Sequence, residues 1–374
     1  MSRPAELADL GACRRIVVKV GSSLLVEDGA PRSAWLASLA QELATLRAQG
    51  PDLIVVSSGA IALGAAKLGL ARGGRASLAD AQAAASVGQI ALAGLWAEKL
   101  GQHGLTAAQM LLTLEDLEDR RRYLNASATL ARLLEAGAVP VVNENDSVAT
   151  EEIRFGDNDR LAARVAQAAG ADMVVLLSDV DGLYDRDPRE DGAQLVERVE
   201  GITPEVLAMA SGASSSGMGS GGMTSKLQAA QIAERAGIAL AIINGTCEEP
   251  IVTALSGNRG TLFLPQRSDG ARKAWLGGRL APMGTLRVDA GCANALRGGA
   301  SLLAAGIVGI SGAFRRGDLV KIVTMRGEEL AQGLAEYEAH EIQAIAGKRA
   351  DDQADRLGYA PRAAVVHRDH MVLL

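Results

Sequence analysis

Seven lysines stand against 31 arginines in this 374-residue chain, so a lysine set inside a structured motif invites a chemical reading. Two do so. Lys19 interrupts an apolar run, Val-Val-Lys-Val-Gly-Ser-Ser, at the expected carboxyl end of a strand, with Gly21 at the turn. A buried ammonium is costly unless an anion meets it. The competing reading is an edge-strand lysine whose stem snorkels to water. Lys226 closes the stretch SSGMGSGGMTSK, Ser215 to Lys226, and opens the helical pattern SKLQAAQIAERAG. Backbone N–H groups unhindered by side chains, hydroxyls and a cation at a helix N-terminus suit an anion such as a phosphate. A flexible Gly/Ser linker is the alternative. Gly217, Gly219 and Gly222 satisfy the spacing GxGxxG, but that fingerprint needs a buried strand before it, and TPEVLAMASGASS reads as a short helix instead. A Walker loop needs Gly-Lys-Ser/Thr in succession, whereas Lys226 follows Ser225 and precedes Leu227.

Other strand ends carry hydroxyls and acids. Ser57-Ser58-Gly59-Ala60 ends one apolar run and enters a helix, so a serine there either caps the helix or helps present N–H groups to an anion. Asn143-Glu144-Asn145-Asp146 ends another, Gly156-Asp157-Asn158-Asp159 opens a helix, and Ser178-Asp179 ends MVVLL just before Asp181-Gly182-Leu183-Tyr184. Each Asx residue alone is an ordinary turn or cap former. Their grouping at neighbouring strand ends, near a lysine-bearing one, favours a site. His103, Cys13 and Cys247 are isolated and lie in no strand-end motif, which ranks hydrolase triads and zinc catalysis low. Phosphoryl transfer suits this inventory, because it asks the protein mainly for positioning and for cations around the γ-phosphoryl oxygens. A carboxylate acceptor, already ionised at neutral pH, would need no general base.

The elements that must position these residues follow from hydrophobic pattern. From Arg15 to about Leu264, apolar runs (IVVKV, LIVVSS, VPVVNEND, MVVLLSD, IALAIING and, more weakly, LTAAQMLL) alternate with amphipathic stretches of helical length. That pattern predicts an α/β domain, a mostly parallel sheet sandwiched by helices, with ligands beyond the carboxyl ends of the strands. Around Gln266 to Leu280 the alternation stops and the composition turns polar, basic and glycine-bearing, as in a linker. GTLRVDAG, GIVGISGAF and DLVKIVTM then predict a small β-rich domain with a turn at Arg316-Gly317-Asp318. The expected division is therefore 1–265, a linker over 266–280, and 281–374.

Bulk composition fits this reading. An apolar fraction of 48% with net charge −6 describes a soluble globular chain rather than a disordered one. Cys13, Cys247 and Cys292 are few, odd in number and far apart, which indicates neither a disulfide framework nor a zinc site and fits a reducing cytosol. The charged N-terminus does not resemble a signal peptide, and ASLLAAGIVGISGAF is too short and glycine-rich to span a membrane. Residues 281–374 hold eleven Lys/Arg and eleven Asp/Glu, without the basic surplus expected of strong nucleic-acid binding.

Taken in order, VVKVGSS, VVSSGAIALG, QMLLTLED, VPVVNENDSVAT, FGDNDRLAA, LLSDVDGLYDRDP and SGMGSGGMTSKLQAA resemble the glutamate 5-kinase branch of the amino-acid kinase family. GTLRVDAGCANALRGGASLLAAGIVGISGAFRRGDLV resembles a PUA domain, a small β-rich barrel. The resemblance implies transfer of the ATP γ-phosphoryl group to the side-chain carboxylate of L-glutamate, the first step of proline synthesis. It implies that Lys19 and Lys226 flank the transferring group, that Asp159 holds both lysines, and that Ser58, Asp146 and Asn158 bind glutamate. Lys19, Ser178, Asp179 and the stretch Ser220, Gly221, Gly222, Met223, Thr224, Ser225 and Lys226 would contact the nucleotide. Mg²⁺ is expected on the phosphates without a protein cage. A cytoplasmic homo-oligomer, dimer or tetramer, inhibited by proline is implied as well. The alternatives are a related kinase acting on aspartate, N-acetylglutamate, carbamate or UMP, and RNA binding through the PUA-like tail. Ser57 and Ser178 stand where some family members have threonine, and both keep the hydroxyl.

Overall fold

The computed structural model describes residues 6–148, 157–210, 222–257, 259–265 and 282–374. The chain divides into two compact units, Met1–Glu118 with Asn125–Ser268, and Asp119–Leu124 with Asp269–Leu374.

In the first half of the chain the elements run β1 (Arg15–Val20), α1 (Ser22–Leu25), the short pair β2 (Val26–Glu27) and β3 (Ala30–Pro31), α2 (Ser33–Ala48), β4 (Asp52–Ser57), α3 (Ala60–Leu68) and α4 (Leu78–Gly101). They continue with β5 (Ala107–Leu112), α5 (Leu114–Glu118), α6 (Arg120–Glu135), β6 (Val139–Glu144), α7 (Asp157–Ala169) and β7 (Met173–Ser178). β8 (Arg198–Glu200), α8 (Pro204–Met209), α9 (Met223–Arg235), β9 (Ala239–Asn244), α10 (Pro250–Gly257) and β10 (Thr261–Leu264) complete the set. Eight strands form one sheet in the order β5-β6-β4-β1-β7-β9-β10-β8. The six apolar runs read from sequence are β1, β4, β5, β6, β7 and β9, all paired in parallel. β10 joins β9 antiparallel and was not legible as a strand, nor was the three-residue β8.

β1 is central, paired with β4 on one side and β7 on the other, and its buried side chains reach both faces. Helices therefore have to cover both faces, which is why this strand reads as an unbroken apolar run. The edge-strand reading of Lys19 is thereby excluded: it lies opposite Val56 and Leu176 and is 7% exposed. β5, at the sheet edge, is only partly buried and alternates weakly, in keeping with its weaker signal. α3 and α4 cross at near backbone contact. A Cβ on Gly64 would collide with the Ala84 carbonyl, and one on Gly88 with the Ala60 carbonyl, so both positions require glycine.

The second unit carries β11 (Gly284–Val288), α11 (Ala290–Arg297), β12 (Ile307–Gly312), β13 (Leu319–Thr324), β14 (Glu329–Leu334), α12 (Ala339–Ile345), α13 (Ala350–Leu357) and β15 (Met371–Leu373). Its five-stranded sheet has the order β12-β11-β13-β14-β15, with only β11 and β13 parallel. The core is Leu286, Val320, Ile322, Tyr337, Ile342 and their neighbours. Gly317, at φ 88°, makes the turn expected at Arg316-Gly317-Asp318, a backbone angle that disfavours any residue with a Cβ. Among the described residues no helix is long and apolar enough to cross a membrane.

Candidate active site

The carboxyl ends of β1, β4, β6 and β7 and the N-termini of α7 and α9 supply the side chains singled out in the sequence. Asp159, in the first turn of α7, is fully buried. Lys19 Nζ, from β1, lies 2.6 Å from its Oδ1, and Lys226 Nζ, from the first turns of α9, lies 3.6 Å from its Oδ2. Ser225 Oγ also donates to Oδ2 at 3.3 Å. Two lysines 207 positions apart (226 minus 19) thus share one carboxylate. Burial alone would push the Asp159 carboxyl up. The ammonium groups of Lys19 and Lys226, with the hydrogen bonds from Lys19 and Ser225, outweigh it and hold Asp159 below its ordinary value, ionised. Lys226 is drawn down from the lysine range by burial and by the like charge of Lys19, against the opposing pull of Asp159 and Asp179.

This arrangement gathers two cations on one carboxylate. Two ammonium groups offer six N–H donors, whereas one carboxylate presents two oxygens. α9 begins at Met223, two residues ahead of the expected start, and its N-cap Gly222 has no side chain to occupy the first-turn N–H groups. The positive end of the α9 dipole therefore lies within one turn of Lys226. Ser220 and Gly221, expected nucleotide contacts, lie outside the described residues.

A polar cluster lies where β4 and β6 end and α7 begins. Asn158 Nδ2 donates to Ser58 Oγ at 2.7 Å and to Asn143 Oδ1 at 3.2 Å, and Asn143 Nδ2 donates to Gln89 Oε1 at 2.7 Å. Asn158 Oδ1 is buried and finds no hydrogen-bond partner among the described residues. The alternative role of the serines as caps is not what the structure displays. The N-cap of α3 is Gly59, at φ 116° and without a side-chain cap bond, while Ser57 Oγ accepts from Trp96 Nε1 at 2.8 Å. Asp146, two residues past the end of β6, is buried as well, 7% exposed. Burial draws the Arg75 guanidinium down and Asp146 draws it back up, so an arginine unnoticed in the sequence shares that field.

Ser178, the last residue of β7, donates from Oγ to Asp179 Oδ1 at 3.1 Å. Beyond it, Asn244 Nδ2 at the end of β9 donates to Asp181 Oδ1 at 2.7 Å, and Tyr184 donates to Asp181 Oδ2 at 3.1 Å. Sequence reading missed Gln89, Arg75 and Asn244 as parts of the site, and singled out Asn143 only as a member of the Asn143–Asp146 loop. Asn244 ends β9 and could have been found by the rule that located Ser178. Gln89 and Arg75 carry no local signal. Among the described residues no group of three or more His, Cys, Asp or Glu is placed to hold a metal ion. The three cysteines are free.

Comparison with known proteins gives a consistent result. Residues 14–244 match the model of the amino acid kinase family, and residues 284–356 match that of the PUA domain. A protein of Novosphingobium aromaticivorans named glutamate 5-kinase is 65% identical over 375 aligned positions, covering 100% of both chains. Proteins of the same name from Sphingopyxis alaskensis and Zymomonas mobilis are 60% and 55% identical, each covering 97% of this chain and 98% and 92% of their own. With its sheet, its two-lysine strand-end site and this likeness along its whole length, the chain belongs to the amino acid kinase family and carries a PUA domain behind the kinase domain.

Proposed function

We propose that this chain phosphorylates the side-chain carboxylate of L-glutamate with ATP, giving L-glutamyl 5-phosphate and ADP, the reaction that opens proline synthesis. The observation that carries the reading is the pairing of Lys19 and Lys226 on the single buried carboxylate of Asp159. In the transfer, a carboxylate oxygen of glutamate attacks the γ-phosphorus, the bond to the β-phosphate oxygen breaks, and ADP leaves with the electron pair. Charge on the equatorial phosphoryl oxygens must be met by fixed cations, and two ammonium groups held by a carboxylate need no reorganisation to meet it. No proton has to be removed from an ionised acceptor, so the absence of histidine and cysteine from this cluster is no obstacle. Asp159 is then a positioning residue for both lysines.

Ser58, Asp146 and Asn158 are assigned to glutamate. An acidic side chain and a carbonyl-type oxygen suit the α-ammonium, while the serine hydroxyl and the start of α3 suit a carboxylate. Ser178, Asp179 and the stretch from Ser220 to Lys226 are assigned to the nucleotide, with the α9 N-terminus beside its phosphates. Mg²⁺ fits as an ion carried on those phosphates, since a hard cation needs few protein oxygens there. Inhibition by proline, assembly as a homo-oligomer and action in the cytoplasm complete the proposal, the last supported by the three free cysteines.

The test is incubation of the full chain with ATP, Mg²⁺, hydroxylamine and one acceptor at a time. Hydroxamate should form from glutamate in preference to aspartate or N-acetylglutamate. A preference for either of the others would overturn the assignment.

A further inference from the structure

Asn158 is linked to Gln89 by a chain of amides, and an amide chain has a direction. Gln89 Oε1 accepts from Asn143 Nδ2, Asn143 Oδ1 accepts from Asn158 Nδ2, and Asn158 Nδ2 also donates to Ser58 Oγ. Every Nδ2 points toward Gln89 or Ser58, which leaves Asn158 Oδ1 as a buried acceptor with no partner among the described residues. A buried oxygen left so is unfavourable until a donor arrives. Ser58 cannot set this direction, because a hydroxyl donates or accepts equally well. Asn143 is 2% exposed and cannot set it from water. Gln89 meets Asn143 with its accepting oxygen, and while it does so both asparagines are held in this direction.

The fold brings Gln89 to that point by the α3–α4 crossing. Gly88 lies against the Ala60 carbonyl so closely that no side chain fits, and the next residue, Gln89, is carried toward Asn143 on β6. A glutamine in the middle of a long helix, outside every strand-end motif, thus touches the site through one neighbour.

We infer that Gln89 is a positioning residue that sets the direction of the Asn143–Asn158 amide pair, so that Asn158 presents an acceptor oxygen to the substrate's ammonium group. The inference rests on the proposed glutamate kinase activity. It makes Gln89 a determinant of the choice between an amino dicarboxylate and the same dicarboxylate without its amine.

The experiment compares kcat/KM for glutamate with kcat/KM for glutarate in the full chain and its Gln89 variants. Gln89→Met removes the acceptor at similar volume, and the glutamate-to-glutarate ratio should fall about tenfold, through the KM for glutamate, with the KM for ATP unchanged. Gln89→Glu keeps an oxygen facing Asn143 Nδ2 and should restore the ratio. Gln89→Lys presents a donor instead, so Asn143 and Asn158 should reverse and the ratio should fall further; this variant also serves if Gln89→Met does not fold. An unchanged ratio in the Met or Lys variant overturns the inference, as does an equal loss toward both acceptors with no rescue by Glu. Wild-type protein that makes no hydroxamate from glutamate overturns the kinase reading itself, and the inference with it.

Discussion

Asp159 in the first unit, fully buried, and Glu336 in the second, partly buried, are both carboxylates with two basic neighbours, and they do opposite things with them. Glu336 Oε2 accepts from Arg316 Nε at 3.4 Å and from its terminal nitrogen at 3.3 Å, while His370 Nδ1 lies 3.5 Å from Oε1. Burial would raise the Glu336 carboxyl, but hydrogen bonding and charge from His370 and then Arg316 bring it below its ordinary value. A planar guanidinium committed to one oxygen and an imidazole against the other close the group on itself. Asp159 is instead flanked by two compact ammonium groups, each with donors pointing in three directions. The lesson is that burial and pairing alone do not mark a site. What marks Asp159 is the pair of lysine ammonium groups, from distant parts of the chain, brought to one carboxylate at a strand end and a helix N-terminus.

The comparison breaks first at the lysines. Lys19→Met or Lys226→Met should each cost on the order of 3 kcal/mol of transition-state stabilisation, read as a fall in kcat of about 10²-fold. Wild-type kcat/KM for ATP should also decline as pH rises, beginning below the ordinary lysine range, because burial and Lys19 draw Lys226 of the free enzyme down and only its protonated form serves. Next in size is Asp159→Asn, which leaves two buried ammonium groups without their counter-charge and should cost about 3 kcal/mol of stability by urea denaturation, with activity lost as well.

Glu336→Gln sharpens the contrast from the other side. It should cost about 1 kcal/mol of stability, by loss of a partly buried charge-assisted pair, and leave the kcat of the folded protein within about twofold. The smallest effect concerns Glu42, buried on α2, whose Oε1 accepts from Val252 N–H at 2.7 Å at the start of α10. Burial foremost, and Glu249, push its carboxyl up to about 7 against the N–H groups of Val252 and Ile251, which pull it down. The folded form therefore holds a proton that the unfolded form releases near 4.5, and this residue's contribution to stability is full below that pH and lost as pH rises through about 7. Gln keeps the accepting oxygen without the charge, so Glu42→Gln should stabilise by about 1 kcal/mol at pH 8 and by nothing measurable at pH 5, after allowance for the lost attraction to the helix N-terminus. Thermal unfolding at the two pH values checks this.

How much of this was legible in the sequence depends on where each residue draws its signal. β1, β4, β6, β7 and β9 were readable because strands covered on both faces carry near-continuous apolar runs. β10 was not, because four residues, TLFL, lack both length and alternation. In the second unit, β14 (ELAQGL) and β15 carry polar or very short sequences and escaped notice for the same reason. Lys19 and Lys226 stood out because lysine is scarce and each broke a local pattern. That they share Asp159 is a tertiary fact which only the family resemblance anticipated. Gln89 and Arg75 were invisible, since a glutamine in a long helix and an arginine in a surface-like loop are ordinary until packing brings them inward.

A double-variant cycle on Lys19 and Lys226 tests the central claim most directly, with kcat of glutamate-dependent hydroxamate formation measured for wild type, Lys19→Ala, Lys226→Ala and the double variant. Because both groups serve one transition state, the account predicts large losses in each single variant and a double variant little worse than the poorer of the two. Near-normal turnover in either single variant, or two losses that simply multiply, would contradict it.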